Sequence, residues 1–147
     1  MLIDSNVILE VILRREEYEV ANGLLETLYK DKHEMFMTVG SFYGMVYTVD
    51  NYLRKVMELK KPERTEALRS IMIQVLKQYH VAGHDKDTLL RAIGDNKFMD
   101  LEDSCQHQAA VKAGCDYLIS FNLKDYAECA SMKAMTPQEF LDSYLKN

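Results

Sequence analysis

The chain has 147 residues, of which 48% are hydrophobic and 28% are charged, and this composition excludes a disordered or low-complexity protein. Its 18 basic and 23 acidic side chains give a net charge of −5, which excludes a strongly basic nucleic-acid-binding surface but allows a local basic patch. The length suits a single domain covering residues 1–147.

The first third of the chain predicts two short strands separated by helices. A two-residue apolar strand at 2–3 is followed by apolar residues at helical spacing over 7–12 and again over 20–28. Residues 35–38 then predict a second strand. The apolar and aromatic segment 42–53 predicts a buried helix.

The middle of the chain predicts a helix, a strand and a shorter helix. Pro62 suits a helix start, and an apolar stripe follows over 67–76. The short run 80–82 predicts a third strand. Either Asp85 or Asp87 caps the helix after it.

The last third predicts the remaining elements. Asp100 begins a helix that Gly114 ends, and 117–120 predicts a strand. The capping box at 136–139 starts the last helix. Strands that alternate with helices predict an α/β fold, a three-layer α/β/α sandwich with a short, mainly parallel central sheet.

Acidic and amide side chains follow the short strands, where ligands bind in open α/β sheets. Asp4 follows the first strand, and Asn122 and Asp125 follow the strand at 117–120. Asp100 and Asp103 lie three residues apart on one face of a helix start. Several carboxylates at one place need a cation, and oxygen ligands favour Mg²⁺ or Mn²⁺, which points to phosphodiester chemistry.

Each of these residues also has a purely structural interpretation. Asp100 suits a helix N-cap, and Asp103 would then be its capping-box partner. Asp4 could begin a turn that caps the first helix, and Asn122 and Asp125 could be ordinary turn residues.

Taken together, four motifs in chain order resemble the PIN domain family, the nuclease fold of many type II toxins called VapC. Residues 2–9 read LIDSNVIL and are similar to the first motif, an apolar strand that ends in Asp-Thr/Ser-Asn. Residues 98–104 read FMDLEDS and are similar to the third, and 116–126 read DYLISFNLKDY and are similar to the fourth. Residues 135–141 match the closing strand and helix.

This resemblance implies a metal-dependent endoribonuclease, the toxin of a toxin–antitoxin pair, with RNA as substrate, a cognate antitoxin as partner and a homodimeric state. It implies Asp4, Asp100 and Asp103 as ligands of Mg²⁺ or Mn²⁺. With Asn122 they would form the catalytic set. The supporting residues that it implies are Asn6, Ser120 and Asp125.

One position departs from the family pattern. The second motif is a strand followed by a helix that carries a Glu, and the alignment puts Gly44 at the Glu position. Glu10 or Asp125 is a candidate replacement. Because Gly44 and Asn122 lower the charge of the site, a second hypothesis is a catalytically degenerate PIN-like module that binds RNA or protein.

Other constellations favour other interpretations less well. The first motif is similar to the Asp-x-Asp of haloacid dehalogenase phosphatases, but Asn6 takes the place of the second acid. A receiver domain would need paired acids near the start, and Asp4 is alone there. His80 and His84 have metal-ligand spacing but flank a predicted strand, and His107 is expected to be structural.

Cysteine usage and hydropathy address the compartment. Cys105, Cys115 and Cys129 are an odd number without a Cys-x-x-Cys spacing, which predicts free thiols in a reducing cytoplasm. The sequence shows no signal peptide and no apolar run long enough to span a membrane, so we expect no membrane association.

Overall fold

Five short strands form one all-parallel sheet in a computed structural model, which describes residues 1–124, 126 and 131–147. The strands are β1 (Leu2–Ile3), β2 (Phe36–Thr38), β3 (His80–Ala82), β4 (Tyr117–Ile119) and β5 (Lys133–Met135). The helices are α1 (Ser5–Ile12), α2 (Tyr18–Lys30), α3 (Val39–Lys55), α4 (Glu63–Gln78), α5 (Lys86–Gly94), α6 (Leu101–Lys112) and α7 (Pro137–Leu145). The predicted α/β class is confirmed, and the sheet is parallel throughout.

Neighbouring residues of each strand face opposite sides of the sheet, because side chains alternate along a strand. Ile3 and Ile119 belong to a core formed with α1, α2, α3, α4 and α7. Leu2 and Leu118 belong to a second core that includes Ala110 of α6. Helices therefore cover both faces, as a three-layer sandwich requires.

The strand order is β3-β2-β1-β4-β5, so the chain builds one half of the sheet outward from β1 and then returns to build the other half. The direction changes between β1 and β4, which pair in register at Leu2 with Leu118 and Ile3 with Ile119. In open parallel sheets the crevice beyond this switch point is where ligands bind. The residues that follow β1 and β4 are therefore the ones to inspect.

Helix ends follow the predicted capping chemistry with one shift. Asp85, rather than Asp87, caps α5, since its carboxylate accepts a hydrogen bond from the Thr88 N–H at 2.8 Å. Helix α3 begins at Val39 rather than near residue 42, because the Thr38 hydroxyl accepts the N–H of Ser41 at 3.0 Å. Gly114, with φ of 72°, ends α6 in the left-handed conformation that glycine adopts without strain.

The described helices are all too short or too polar to cross a lipid bilayer. Of the cysteines, Cys105 and Cys115 are free thiols, as predicted, and Cys129 lies outside the described residues.

Candidate functional site

Asp4 lies at the carboxyl end of β1, directly over the switch point. Its backbone N–H donates to the Ile119 carbonyl at 2.9 Å, which extends the pairing of β1 with β4 by one residue. Although Asp4 occupies the N-cap position of α1, its carboxylate caps no backbone N–H. The side chain is instead turned towards β4, so Asp4 caps α1 only through its backbone, whose carbonyl accepts the Val7 N–H at 3.0 Å.

Ser120 and Asn6 hold the Asp4 carboxylate. The Ser120 hydroxyl, which is fully buried, donates to Asp4 Oδ2 at 2.7 Å. Asn6 Nδ2 lies 3.0 Å from Ser120 Oγ and 3.3 Å from the same Asp4 oxygen. Asn6 Oδ1 also accepts the Phe121 N–H at 3.3 Å. These contacts fix the carboxylate at the site entrance and join the first and fourth motifs.

Asn122 joins this group through its backbone. Its N–H donates to Ser120 Oγ at 3.0 Å, and the residue is exposed. Asp125, the other predicted residue of this loop, lies outside the described residues. A direct role for the Asn122 amide therefore stays a prediction.

Asp100 and Asp103 lie at the start of α6 and have different surroundings. Asp100 Oδ1 accepts the N–H groups of Glu102 at 2.8 Å and of Asp103 at 3.2 Å, so Asp100 is the N-cap, as its structural interpretation predicted. Asp103 Oδ1 accepts a hydrogen bond from the Tyr126 hydroxyl at 3.0 Å. Asp100 thus fixes the backbone that presents Asp103.

Tyr126 is a buried residue that donates a hydrogen bond to Asp103. Its side chain is 2% exposed, and burial raises the pKa of Tyr126 far above its ordinary value. The charges of Asp4 and Asp103 raise the pKa of Tyr126 further. The phenol therefore stays protonated and acts as a donor to Asp103. That Asp4 and Asp103 meet at one metal site stays a prediction.

Glu10, a candidate for the missing acid, contacts the start of α2. Glu10 Oε2 accepts the N–H of Glu17 at 2.9 Å, in front of α2. Gly44 is exposed on α3, and a Cβ placed there meets no atom within 4 Å. Within the described ranges, no group of three or more acidic, histidine or cysteine side chains is arranged to hold a metal.

Two carboxylates still fit a hard divalent ion. Mg²⁺ is bound in proteins through one or two carboxylates, with waters and substrate phosphates as its other ligands. Asp4 and Asp103 supply two such groups at a ligand-binding edge, and no nitrogen or sulfur ligand is arranged beside them among the described residues. The donor set therefore suits Mg²⁺ or Mn²⁺ better than zinc.

Sequence reasoning missed three buried polar residues beside the site, Ser41, Gln106 and Tyr126. Gln106 lies three residues after Asp103 on α6 and donates to the Tyr126 hydroxyl at 3.1 Å. Ser41 donates to Gln106 Oε1 at 2.7 Å. A polar residue one turn after Asp103 was the available signal, because it lies on the same helix face.

The histidines form no common site. His84 contacts the Cys105 carbonyl at 2.9 Å, whereas His80 lies on the exposed side of β3 near Glu34. His107 is buried against Phe98, with ring centroids 5.2 Å apart. The interpretation of His80 and His84 as metal ligands has no support in these contacts.

We expect His107 to make stability depend on pH. Burial lowers the pKa of His107, Asp95 opposes this shift, and Lys97 adds to it. The unfolded chain therefore binds the proton more readily than the folded protein. The free energy of unfolding has its full value above about pH 6.5 and decreases as the pH falls below that value. Urea unfolding of wild type and His107→Phe between pH 7.5 and 5 measures this pH dependence. The free energy of unfolding is expected to decline less for the variant than for wild type as the pH falls. Parallel declines would contradict the assignment to His107.

Comparisons with known proteins concern the family and the fold. A family model described as a PIN domain matches residues 1–124. The ribonuclease VapC1 of Aquifex aeolicus (strain VF5) is 26% identical over 149 residues, covering 98% of this chain and 94% of that protein.

Two solved structures share the fold. A toxin–antitoxin complex from Klebsiella pneumoniae superposes with a TM-score of 0.68 at 16% identity, covering 92% of this chain and 96% of that one. VapBC2 from Rickettsia felis, bound to a DNA fragment from their promoter, superposes with a TM-score of 0.63 at 13% identity and the same coverages, 92% and 96%.

Proposed function

The chain belongs to the PIN domain family, and from this membership we propose that it is an endoribonuclease that acts as the toxin of a type II toxin–antitoxin pair. A ribonuclease VapC1 aligned over almost the whole chain supports the activity. The observation that carries the proposal is the Asp4 carboxylate, which Ser120 and Asn6 hold at the switch point between β1 and β4.

We propose Asp4 and Asp103 as the residues that hold Mg²⁺ or Mn²⁺. Ser120 and Asn6 orient the Asp4 carboxylate, and the Asp100 cap fixes the backbone of Asp103. When bound, such an ion supplies charge stabilisation at a phosphodiester and lowers the pKa of a water that it holds. Asp100 as a further ligand and Asn122 as a positioning residue remain part of the proposal.

The proposed partners follow from the same relatives. The Klebsiella and Rickettsia structures are toxin–antitoxin assemblies, which supports a cognate antitoxin for this chain. We propose RNA as the substrate, the cytoplasm as the compartment and a homodimer as the working state.

A second candidate is a PIN-fold module that binds RNA or protein without cleaving it. Gly44 favours this candidate, because the position that carries Glu in the family pattern has no carboxylate here. Asn122 adds to it, since a neutral amide replaces a fourth acid. Both lower the attraction of the site for a cation.

The test compares wild type, Gly44→Glu and Gly44→Ala. Because the space around Gly44 is open, Gly44→Glu is expected to bind Mn²⁺ roughly tenfold more tightly through the attraction of one added charge. Gly44→Ala gains about 0.5–1 kcal/mol of helix stability without changing Mn²⁺ binding, and so is the control. Calorimetry measures Mn²⁺ binding, and RNA cleavage is followed with and without EDTA.

The outcomes separate the two candidates. EDTA-sensitive cleavage by wild type supports the nuclease and shows that Gly44 is tolerated. Cleavage by Gly44→Glu alone supports the binding module built on a nuclease fold. No Mn²⁺ binding and no cleavage by either protein would contradict the metal-dependent nuclease.

A further inference from the structure

A chain of buried hydrogen bonds leads from the start of α3 to the Asp103 carboxylate. The Thr38 hydroxyl contacts Ser41 Oγ at 3.1 Å, and Ser41 donates to Gln106 Oε1 at 2.7 Å. Gln106 Nε2 donates to the Tyr126 hydroxyl at 3.1 Å, and Tyr126 donates to Asp103 Oδ1 at 3.0 Å. These hydrogen bonds thus connect β2, α3 and α6 with one oxygen of the Asp103 carboxylate.

The donors in this chain all point the same way. The Gln106 amide turns its oxygen to Ser41 and its nitrogen to Tyr126. The Tyr126 oxygen already accepts from this nitrogen, so its own proton is directed to Asp103. A reversed amide would accept that proton itself and would remove the donor from Asp103. A carboxylate can only accept, so Asp103 sets this direction, and Ser41 completes it by donating to Gln106 Oε1.

Burial makes the arrangement rigid. The exposed fractions of Ser41, Gln106 and Tyr126 are 6%, 8% and 2%. The Tyr126 ring packs edge-on against Phe98, with centroids 5.9 Å apart. Since buried polar groups are costly when unpaired, each member of the chain is held by its neighbours.

We propose that Tyr126 is a positioning residue, which together with Gln106 and Ser41 holds Asp103 in the orientation that binds the metal ion. The proposal rests on the function proposed above, in which Asp103 is a metal ligand. Hydrogen bonds to ligating carboxylates fix their orientation before the ion arrives, and losing such a bond typically weakens metal binding by about 10- to 100-fold. The free-energy cost of ordering the carboxylate therefore falls on folding rather than on binding of the ion.

The experiment removes single hydroxyl groups. Tyr126→Phe removes the donor to Asp103 and keeps the ring, and its matched control is Tyr79→Phe. Tyr79 is also buried, and its hydroxyl has no hydrogen-bond partner in the described part of the chain. A second test variant, Gln106→Met, keeps the side-chain length and removes the amide. Mn²⁺ binding by calorimetry and the thermal unfolding midpoint are measured for every variant without RNA.

We expect Tyr126→Phe to weaken Mn²⁺ binding by about tenfold or more, Gln106→Met to weaken it by a smaller factor, and Tyr79→Phe to leave it unchanged. If Tyr126→Phe does not fold, Gln106→Met alone decides. A purely structural role would lower the unfolding midpoint and leave the Mn²⁺ affinity of the folded protein at the wild-type value, which overturns the proposal. Absence of Mn²⁺ binding by wild type would overturn the proposed metal site and this positioning role together, and so is distinguishable from failure of Tyr126 alone.

Discussion

Asp103→Asn is expected to lower kcat/KM for RNA cleavage by about 100- to 1,000-fold, because the ion that we propose Asp103 holds would contribute several kcal/mol of charge stabilisation to the transition state. The substitution is nearly isosteric. The new amide keeps an oxygen that accepts from Tyr126, so the buried hydrogen bonds around it are preserved. What is lost is one negative charge at the site. Cleavage kinetics at saturating Mn²⁺ measure the loss of activity, and calorimetry measures the loss of Mn²⁺ affinity.

Asp87→Asn is the matched control for this prediction. Asp87 is exposed in the first turn of α5, and Asp103 lies in the first turn of α6. Both substitutions therefore lose a similar favourable interaction with a helix N-terminus, about 0.3–1 kcal/mol. Only Asp103→Asn is expected to lose activity. Equal activities of the two variants would remove Asp103 from the catalytic set.

Asp4→Asn is expected to cause a loss of similar size, and the double variant Asp4→Asn/Asp103→Asn is expected to lose little more than either single variant. Two residues that hold one ion act as a unit, so once one of them is substituted, substituting the other causes little further loss of activity. The donors Ser120 and Asn6 both point to Asp4 Oδ2, and an Asn oxygen placed there accepts from both. Folding should therefore survive the substitution.

Cleavage assays on the four proteins of this cycle, with urea unfolding of each, measure the coupling between Asp4 and Asp103. If the fold losses of the two single variants multiply in the double variant, the two carboxylates contribute to catalysis independently. A large drop in the free energy of unfolding for Asp4→Asn would instead assign Asp4 a structural role at the junction of β1 and β4.

The fold was predictable because its strands end where polar residues begin. Asp4 marks the end of β1, and the run 80–82 coincides with β3. The start of α3 was placed too late, since Gly40 interrupts the apolar pattern and the cap comes from Thr38, a residue assigned to the preceding strand. The choice between Asp85 and Asp87 as the cap of α5 depended on a contact with Thr88 that spacing alone does not contain.

The two carboxylates that we propose as metal ligands were chosen from motif residues, and the groups that contact them were only partly predictable. Asn6 belongs to the first motif and Ser120 to the fourth, but no motif assigned a role to the Tyr126 hydroxyl. This hydroxyl acquires a role only because Gln106, 20 residues before it, lies beside it in the fold. Ser41 is 65 residues from Gln106. Contacts of this kind follow from packing and leave no periodic trace in the sequence.

The hydrogen bond between Asp4 and Ser120 spans 116 positions of the chain. During synthesis on the ribosome, the first carboxylate therefore emerges long before the strand that completes its surroundings. A translation product that stops before residue 120 contains the opening Leu-Ile-Asp-Ser-Asn and has no assembled site.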